Sequence, residues 1–153
     1  MSRRLKKTKI DVGAQNCHHS YDYGAHTGQV NSSMLKNVGA KYIILGHSEN
    51  RQLGETDNLI NSKIKSAIKS GLKIIFCIGE TLKERRTKKT NKILKRQIEK
   101  GLKSIKNKSK IIIAYEPIWS IGSGLIPSFT DILENNNFVK KYLYERKQIK
   151  KVS

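Results

Sequence analysis

A chain of 153 residues with 37% apolar side chains is long enough for one ordinary globular domain and short for two. No apolar run approaches the length of a bilayer-crossing helix, and no signal-peptide core follows the basic N-terminus, so a soluble, cytoplasmic protein with no membrane partner is the default expectation. Lys and Arg number 31 against 12 acids, a net +19; the lysines recur along every helix-like segment without interleaved stacking aromatics, which reads as a solvated surface with no nucleic-acid partner.

In chain order, Lys9–Val12 reads as a short strand ending at Gly13, and Ser32–Val38 as a short helix. Tyr42–Leu45 is an apolar β-rich run stopped by Gly46, followed by a helical turn over Ser48–Leu53. Asp57–Ser70 carries Ile60, Ile64, Ala67 and Ile68 at helical spacing and stops at Gly71. Lys73–Ile78 is a second β-rich run, stopped by Gly79. Asn91–Ile105 places Leu94, Ile98, Leu102 and Ile105 on one helical stripe, with Thr90 as its N-cap. Ile111–Tyr115 is a third strong β run, and Thr130–Lys147 is a last, weaker helix. Ser2–Lys7 resembles the tail of a helix.

Strand and helix therefore alternate about four times. The strands are apolar almost throughout, as expected of strands buried on both faces in a parallel sheet. The fold class is α/β, with about four parallel βα units in a single domain, undivided by any Pro- or Ser-rich linker. Such units build either a small open sheet or part of a closed barrel. In both, ligands bind at the carboxyl ends of the strands. Cys17 and Cys77 form neither a CxxC pair nor a zinc spacing and read as reduced, packed thiols. His18, His19 and His26 form no i, i+4 pair, and no metal site is expected.

Polar and ionisable residues gather at that carboxyl edge. Gly46-His47-Ser48-Glu49 follows the Tyr42–Leu45 strand, Gly79-Glu80-Thr81 the next, and Glu116-Pro117-Ile118-Trp119 the last. A carboxylate at the mouth of an apolar sheet has a raised pKa and is a good proton acceptor; a structural acid paired with a neighbouring Lys or Arg is an equal reading of Glu116. His47, placed before a helical turn, is suited to remain neutral and donate to a substrate oxygen, or else to satisfy local backbone groups. Gly122-Ser123-Gly124 permits a backbone folded tightly over an anion. A base followed by a glycine-containing segment is the layout of a lid.

Together these pieces resemble the triosephosphate isomerase family. Ala114-Tyr115-Glu116-Pro117-Ile118-Trp119-Ser120-Ile121-Gly122-Ser123-Gly124 is similar to its signature around the catalytic glutamate and closing loop, with Ser120 for a usual Ala and Ser123 for a usual Thr. Gly46-His47-Ser48-Glu49 with Arg51 resembles the electrophilic-histidine motif, with Asn50 for a usual Arg. Gly13-Ala14-Gln15-Asn16-Cys17-His18, Gly24-Ala25-His26-Thr27-Gly28 and Cys77-Ile78-Gly79-Glu80-Thr81 are similar to the third strand, the subunit-interface loop and the fifth strand end. The five motifs stand in order and at matching spacing from about Lys9 to Lys141.

The resemblance implies an incomplete (β/α)8 barrel built from units three to six. It implies interconversion of dihydroxyacetone phosphate and glyceraldehyde 3-phosphate, in glycolysis and gluconeogenesis, without metal or organic cofactor. Glu116 would be the base, neutral His47 the electrophile and Glu49 a supporting polar residue. Gly122 and Ser123 would meet the substrate phosphate. Pro117, Ile118, Trp119 and Gly124 would belong to the closing lid, and Thr27 would enter a partner subunit in a homodimer. The first strand of the family, with an active-site Asn and Lys, and its seventh and eighth strands have no counterpart here. Leu125 stands where the lid commonly has Lys. The expected consequence is an exposed sheet edge and low stability for the chain alone. A catalytically inactive remnant and a basic nucleic-acid-binding protein are the alternative readings.

Overall fold

The structure is a computed structural model that describes residues 2–5 and 7–145. Its helices are α1 (Ser2–Leu5), α2 (Ser32–Asn37), α3 (Ser48–Gln52), α4 (Asp57–Lys69), α5 (Leu82–Arg86), α6 (Thr90–Gly101) and α7 (Phe129–Glu145). Its strands are β1 (Gly13–Ala14), β2 (Tyr42–Leu45), β3 (Lys73–Ile78) and β4 (Ile111–Tyr115), and a 3-10 turn covers Ile118–Ser120. The four strands form one parallel sheet in the order β1-β2-β3-β4, so sequence neighbours are spatial neighbours and β1 and β4 lie at its edges.

The register sorts the strand residues into rows. Ile43, Ile74 and Ile111 share one row, and Leu45, Phe76 and Ile113 share another. None of the six is more than 2% exposed. They belong to one core cluster with Ile60, Ile64 and Ala67 of α4, Leu94 and Ile98 of α6, and Val139 and Leu143 of α7. Burial of each Ile, Leu, Val or Phe among them stabilises the fold by about 1.5–3 kcal/mol relative to exposure. The intervening row of Ile44, Ile75 and Ile112 is only half-buried. The expectation of burial on both faces therefore holds in full for one face and only in part for the other, where Cys77 is buried and the isoleucines are not. Apolarity on both sides of a strand records what each side can bury, and the described helices lie on one side.

Close packing of α6 on β3 depends on a missing side chain. A Cβ on Gly101 would stand 2.4 Å from the Phe76 ring, so only glycine lets the end of the helix settle there. Asn61 of α4 closes the same corner by donating to the carbonyls of Gly101 and Lys103.

Several boundaries differ from the sequence reading. The first strand is Gly13–Ala14 rather than Lys9–Val12, because β1 pairs only with Tyr42 and Ile43. Val12 contributes only its carbonyl, which accepts from Lys41 N–H at 2.8 Å. Thr90 is not an N-cap. The chain turns through Lys88 at φ 54, and Lys89 becomes the cap, without a side-chain bond. The helix ends at Gly101 instead of Ile105, since Ser104 adopts φ 61. α7 starts at Phe129, where Ser128 and Asp131 cap each other reciprocally. The expected end of that helix at Lys147 lies outside the described residues. α5 was not anticipated, although Thr81 and Glu84 form a capping box that is readable as T-x-x-E.

Candidate active site

Glu116 is the first residue beyond β4, and its backbone keeps to the sheet. Its N–H donates to Ile78 C=O at 2.9 Å, and Ile118 N–H donates to Glu80 C=O at 3.1 Å. This course is open because residue 79 is glycine: a Cβ there would stand 1.8 Å from the Glu116 carbonyl oxygen. Gly79 is held in turn by Gln97 of α6, which donates to its carbonyl and accepts from its N–H, both at 2.9 Å. The residue type after β3 thus places the carboxylate after β4.

His47 reaches the same place from β2. It is the N-cap of α3, and its Nδ1 accepts the Glu49 N–H at 3.3 Å. With Nδ1 accepting, a neutral ring carries its proton on Nε2. That nitrogen lies 3.4 Å from Glu116 Oε2. The other carboxylate oxygen accepts the Ser48 N–H at 2.7 Å. Burial pushes the Glu116 carboxyl above its usual pKa, while the Ser48 N–H, His47 and Arg51 pull against that rise. Glu49 stands apart: its carboxylate is 75% exposed and 3.9 Å from His47 Nδ1, a nitrogen already occupied by the backbone.

Two polar networks brace these positions from behind. Arg51 donates to Gly46 C=O at 2.7 Å, to Asp57 at 2.7 Å and to Cys77 C=O at 3.2 Å, tying the ends of β2 and β3 to the start of α4. Asn16, beyond β1, donates to Asn50 of α3 at 2.9 Å and accepts from Lys63 at 2.9 Å; Lys63 also pairs with the buried Glu55. Asn50, which stands for a usual Arg, is therefore a bonded part of the frame. Burial pushes the Cys17 thiol up to about 11 and that of Cys77 up to about 12, so both stay protonated and act as packing.

The segment after Glu116 is fastened by its backbone at Ile118 and by one side chain just beyond it. Trp119 Nε1 donates to Glu80 Oε1 at 2.9 Å, and the Arg85 guanidinium lies over the indole at 4.6 Å. Pro117, Ile118 and Trp119 are half-buried, while Gly122, Ser123 and Gly124 are exposed. Gly122 and Gly124 take positive φ, 68 and 74, and Ser123 Oγ donates to Trp119 C=O at 2.6 Å, curling the tip on itself. In this conformation the Ser123 hydroxyl is bonded within its own segment, to Trp119 C=O and Leu125 N–H. Thr27 is exposed on the long loop before α2, beside Gly28 at φ 77. Open clefts of about 370 and 550 Å³ lie nearby, and neither is lined by Glu116 or His47; the two side chains are 19% and 31% exposed.

The residue that sequence reasoning left without a role is Glu80. It is fully buried, accepts from Tyr115 Oη at 3.2 and 3.1 Å and from Trp119, and lies 3.9 Å from Arg85. Tyr115 accepts in turn from Asn135 of α7 at 2.9 Å, and Arg85 binds Asp131 at 2.7 Å. The available signal was a second acid at a strand end, with an aromatic donor in the neighbouring motif.

Parallel βα units with a carboxylate and an imidazole gathered at the strands' carboxyl ends define the class: a βα-barrel protein, present here as four strands of an open sheet. The family model described as Triosephosphate isomerase matches residues 1–153, and the chain belongs to that family. It is 44% identical over 141 residues to a triosephosphate isomerase of Chlorobium luteolum, covering 92% of this chain and 56% of the relative. It is 45% identical over 142 residues to one from Thermodesulfovibrio yellowstonii, covering 92% and 57%. A crystal structure of triosephosphate isomerase from Bartonella henselae superposes with a TM-score of 0.86 at 37% identity, covering 94% of this chain and 58% of that one. The chain spans a little over half the length of these relatives. No helix among the described residues is long and apolar enough to cross a membrane.

Proposed function

We propose that this chain carries the proton-transfer centre of a triose phosphate isomerase, acting on dihydroxyacetone phosphate and glyceraldehyde 3-phosphate in glycolysis and gluconeogenesis. The observation that supports it best is the Glu116–His47 pair, with Oε2 and Nε2 3.4 Å apart at the mouth of the sheet. Glu116 removes the carbon-bound proton and returns it to the adjacent carbon. Its raised pKa makes it a stronger acceptor than an exposed glutamate. To reach a substrate it first leaves the Ser48 N–H that holds Oε1.

His47, with its proton on Nε2, donates to the substrate carbonyl oxygen and stabilises the enediolate without adding a full charge. The Glu49 N–H on Nδ1 fixes that tautomer, so Glu49 serves through its backbone more than its carboxylate. Closure of Pro117–Gly124 replaces water around the intermediate, with Gly122 and Ser123 turning toward the phosphate. The Thr27 loop is the proposed contact in a homodimer, and the cytoplasm the proposed location.

The test is isomerisation of triose phosphate by the purified chain beside Glu116→Ala. Turnover that disappears in the variant supports the reading. Equal background rates from two folded proteins would overturn it for this chain.

A further inference from the structure

More than half of the chain's net positive charge falls in one continuous stretch of the described fold. Residues 83–110 hold 13 Lys and Arg against two Glu, a net +11 of the chain's +19. The segment is α5, α6 and the turn leading into β4. Only Arg85 and Arg96 meet a carboxylate among the described residues. The two acids are themselves engaged, Glu84 in the Thr81 capping box and Glu99 by the Tyr142 hydroxyl. All thirteen cations except Arg85 and Lys108 are exposed.

Helical spacing explains how one surface comes to carry them. The inner stripe of α6, with Ile93, Leu94, Gln97 and Ile98, is buried in the core. Lys92, Lys95, Arg96 and Lys100 take the outer stripe, and Lys103 and Lys106 continue it beyond the helix. The helix alone makes a row of about 18 Å. Arg96 and Lys100 also border the cleft lined by Gly79 and Ile118, of which Glu116 and His47 are not part.

We propose that the outer face of α5, α6 and the following turn docks duplex nucleic acid through its phosphates, without base readout. A duplex presents about one negative charge per 1.7 Å, a spacing that a run of unpaired lysines matches without sequence information. Residues 83–110 contain no aromatic side chain, so no stacking platform for single strands is present. An anionic lipid surface fits less well. The apolar residues of the segment, Ile93, Leu94, Ile98, Leu102 and Ile105, are at most 7% exposed and have nothing to insert.

The experiment measures binding of a labelled 20-base-pair duplex by fluorescence anisotropy between 50 and 200 mM salt. The comparison is Lys92→Gln/Lys100→Gln/Lys103→Gln/Lys106→Gln against Lys7→Gln/Lys9→Gln/Lys65→Gln/Lys140→Gln, which removes equal charge elsewhere. The expected result is a Kd at least tenfold weaker for the first variant, and a log–log salt slope shallower by about three to four. The second variant should change Kd less than threefold. Equal losses in both variants would mean that net charge alone attracts the duplex, and would overturn the proposal. So would an undetectable complex at 50 mM salt, or tighter binding to phosphatidylserine-containing vesicles than to duplex.

Discussion

Glu80 and Glu116 stand just beyond the ends of neighbouring strands, and they differ in everything but position. Glu80 is fully buried and accepts from Tyr115 and Trp119, with Arg85 close by. The Glu116 side chain is 19% exposed and has one backbone donor and one imidazole. The first carboxylate has its lone pairs engaged by fixed donors, so it is a fastening. The second is partly exposed and keeps acceptor capacity beyond its one backbone donor, so it is available to a proton. A strand-end acid is therefore read by counting its donors, since being at the edge of the sheet does not separate structure from chemistry.

The largest effect that would sharpen this contrast is in Glu116→Gln. The amide still accepts the Ser48 N–H but cannot take a proton. Triose phosphate turnover should fall by about 10²–10⁴-fold, the usual worth of a positioned general base. A urea melt of the same variant should show no loss of stability. Unchanged turnover would remove Glu116 from the mechanism. Glu80→Ala should behave in the opposite sense. It strands the Tyr115 and Trp119 donors in the interior and should cost about 3–5 kcal/mol in the same melt. A loss below about 1 kcal/mol would show that Glu80 is not the fastening described.

Much of this was legible from residue order. Three apolar runs gave β2, β3 and β4 to the residue, since β-rich segments closed by glycine or an acid have few alternatives. His47 and Glu116 were marked by following those strands, and the sheet brought them within 3.4 Å. The half-buried Ile44, Ile75 and Ile112 row was not legible, because an isoleucine has the same sequence signature whether or not a helix covers it. The Glu80 network was hidden for another reason. Its donors come from α5, β4 and the turn after it, 5 to 39 residues away, and no periodicity links them. The cap of α6 failed because Lys88 adopts a left-handed turn that a lysine seldom signals.

A smaller effect belongs to Trp119→Phe. The ring stays apolar, but Glu80 loses its 2.9 Å donor. The cost should be about 1–2 kcal/mol, since Tyr115 still serves the carboxylate. Amide exchange should rise over Trp119–Gly124 more than over β3, because the indole ties that part of the segment to the Glu80 carboxylate while Ile118 keeps its backbone bond to Glu80 C=O. Uniform exchange would place the fastening elsewhere.

The smallest effect is the most discriminating. Burial raises the Glu116 pKa, so between the unfolded value of about 4.3 and the folded one the native state binds more proton than the unfolded chain. Its contribution to stability is therefore present at low pH and is lost as pH rises through the folded pKa. Glu116→Gln removes this dependence. Subtracting its urea-melt stability from that of the parent should give a difference that falls across this window and is flat above it. A difference that rises with pH would show the Ser48 N–H and Arg51 outweighing burial. Glu116 would then be held as a stabilised anion, closer to Glu80 in character than its exposure suggests, and a weaker base for the proton it is proposed to move.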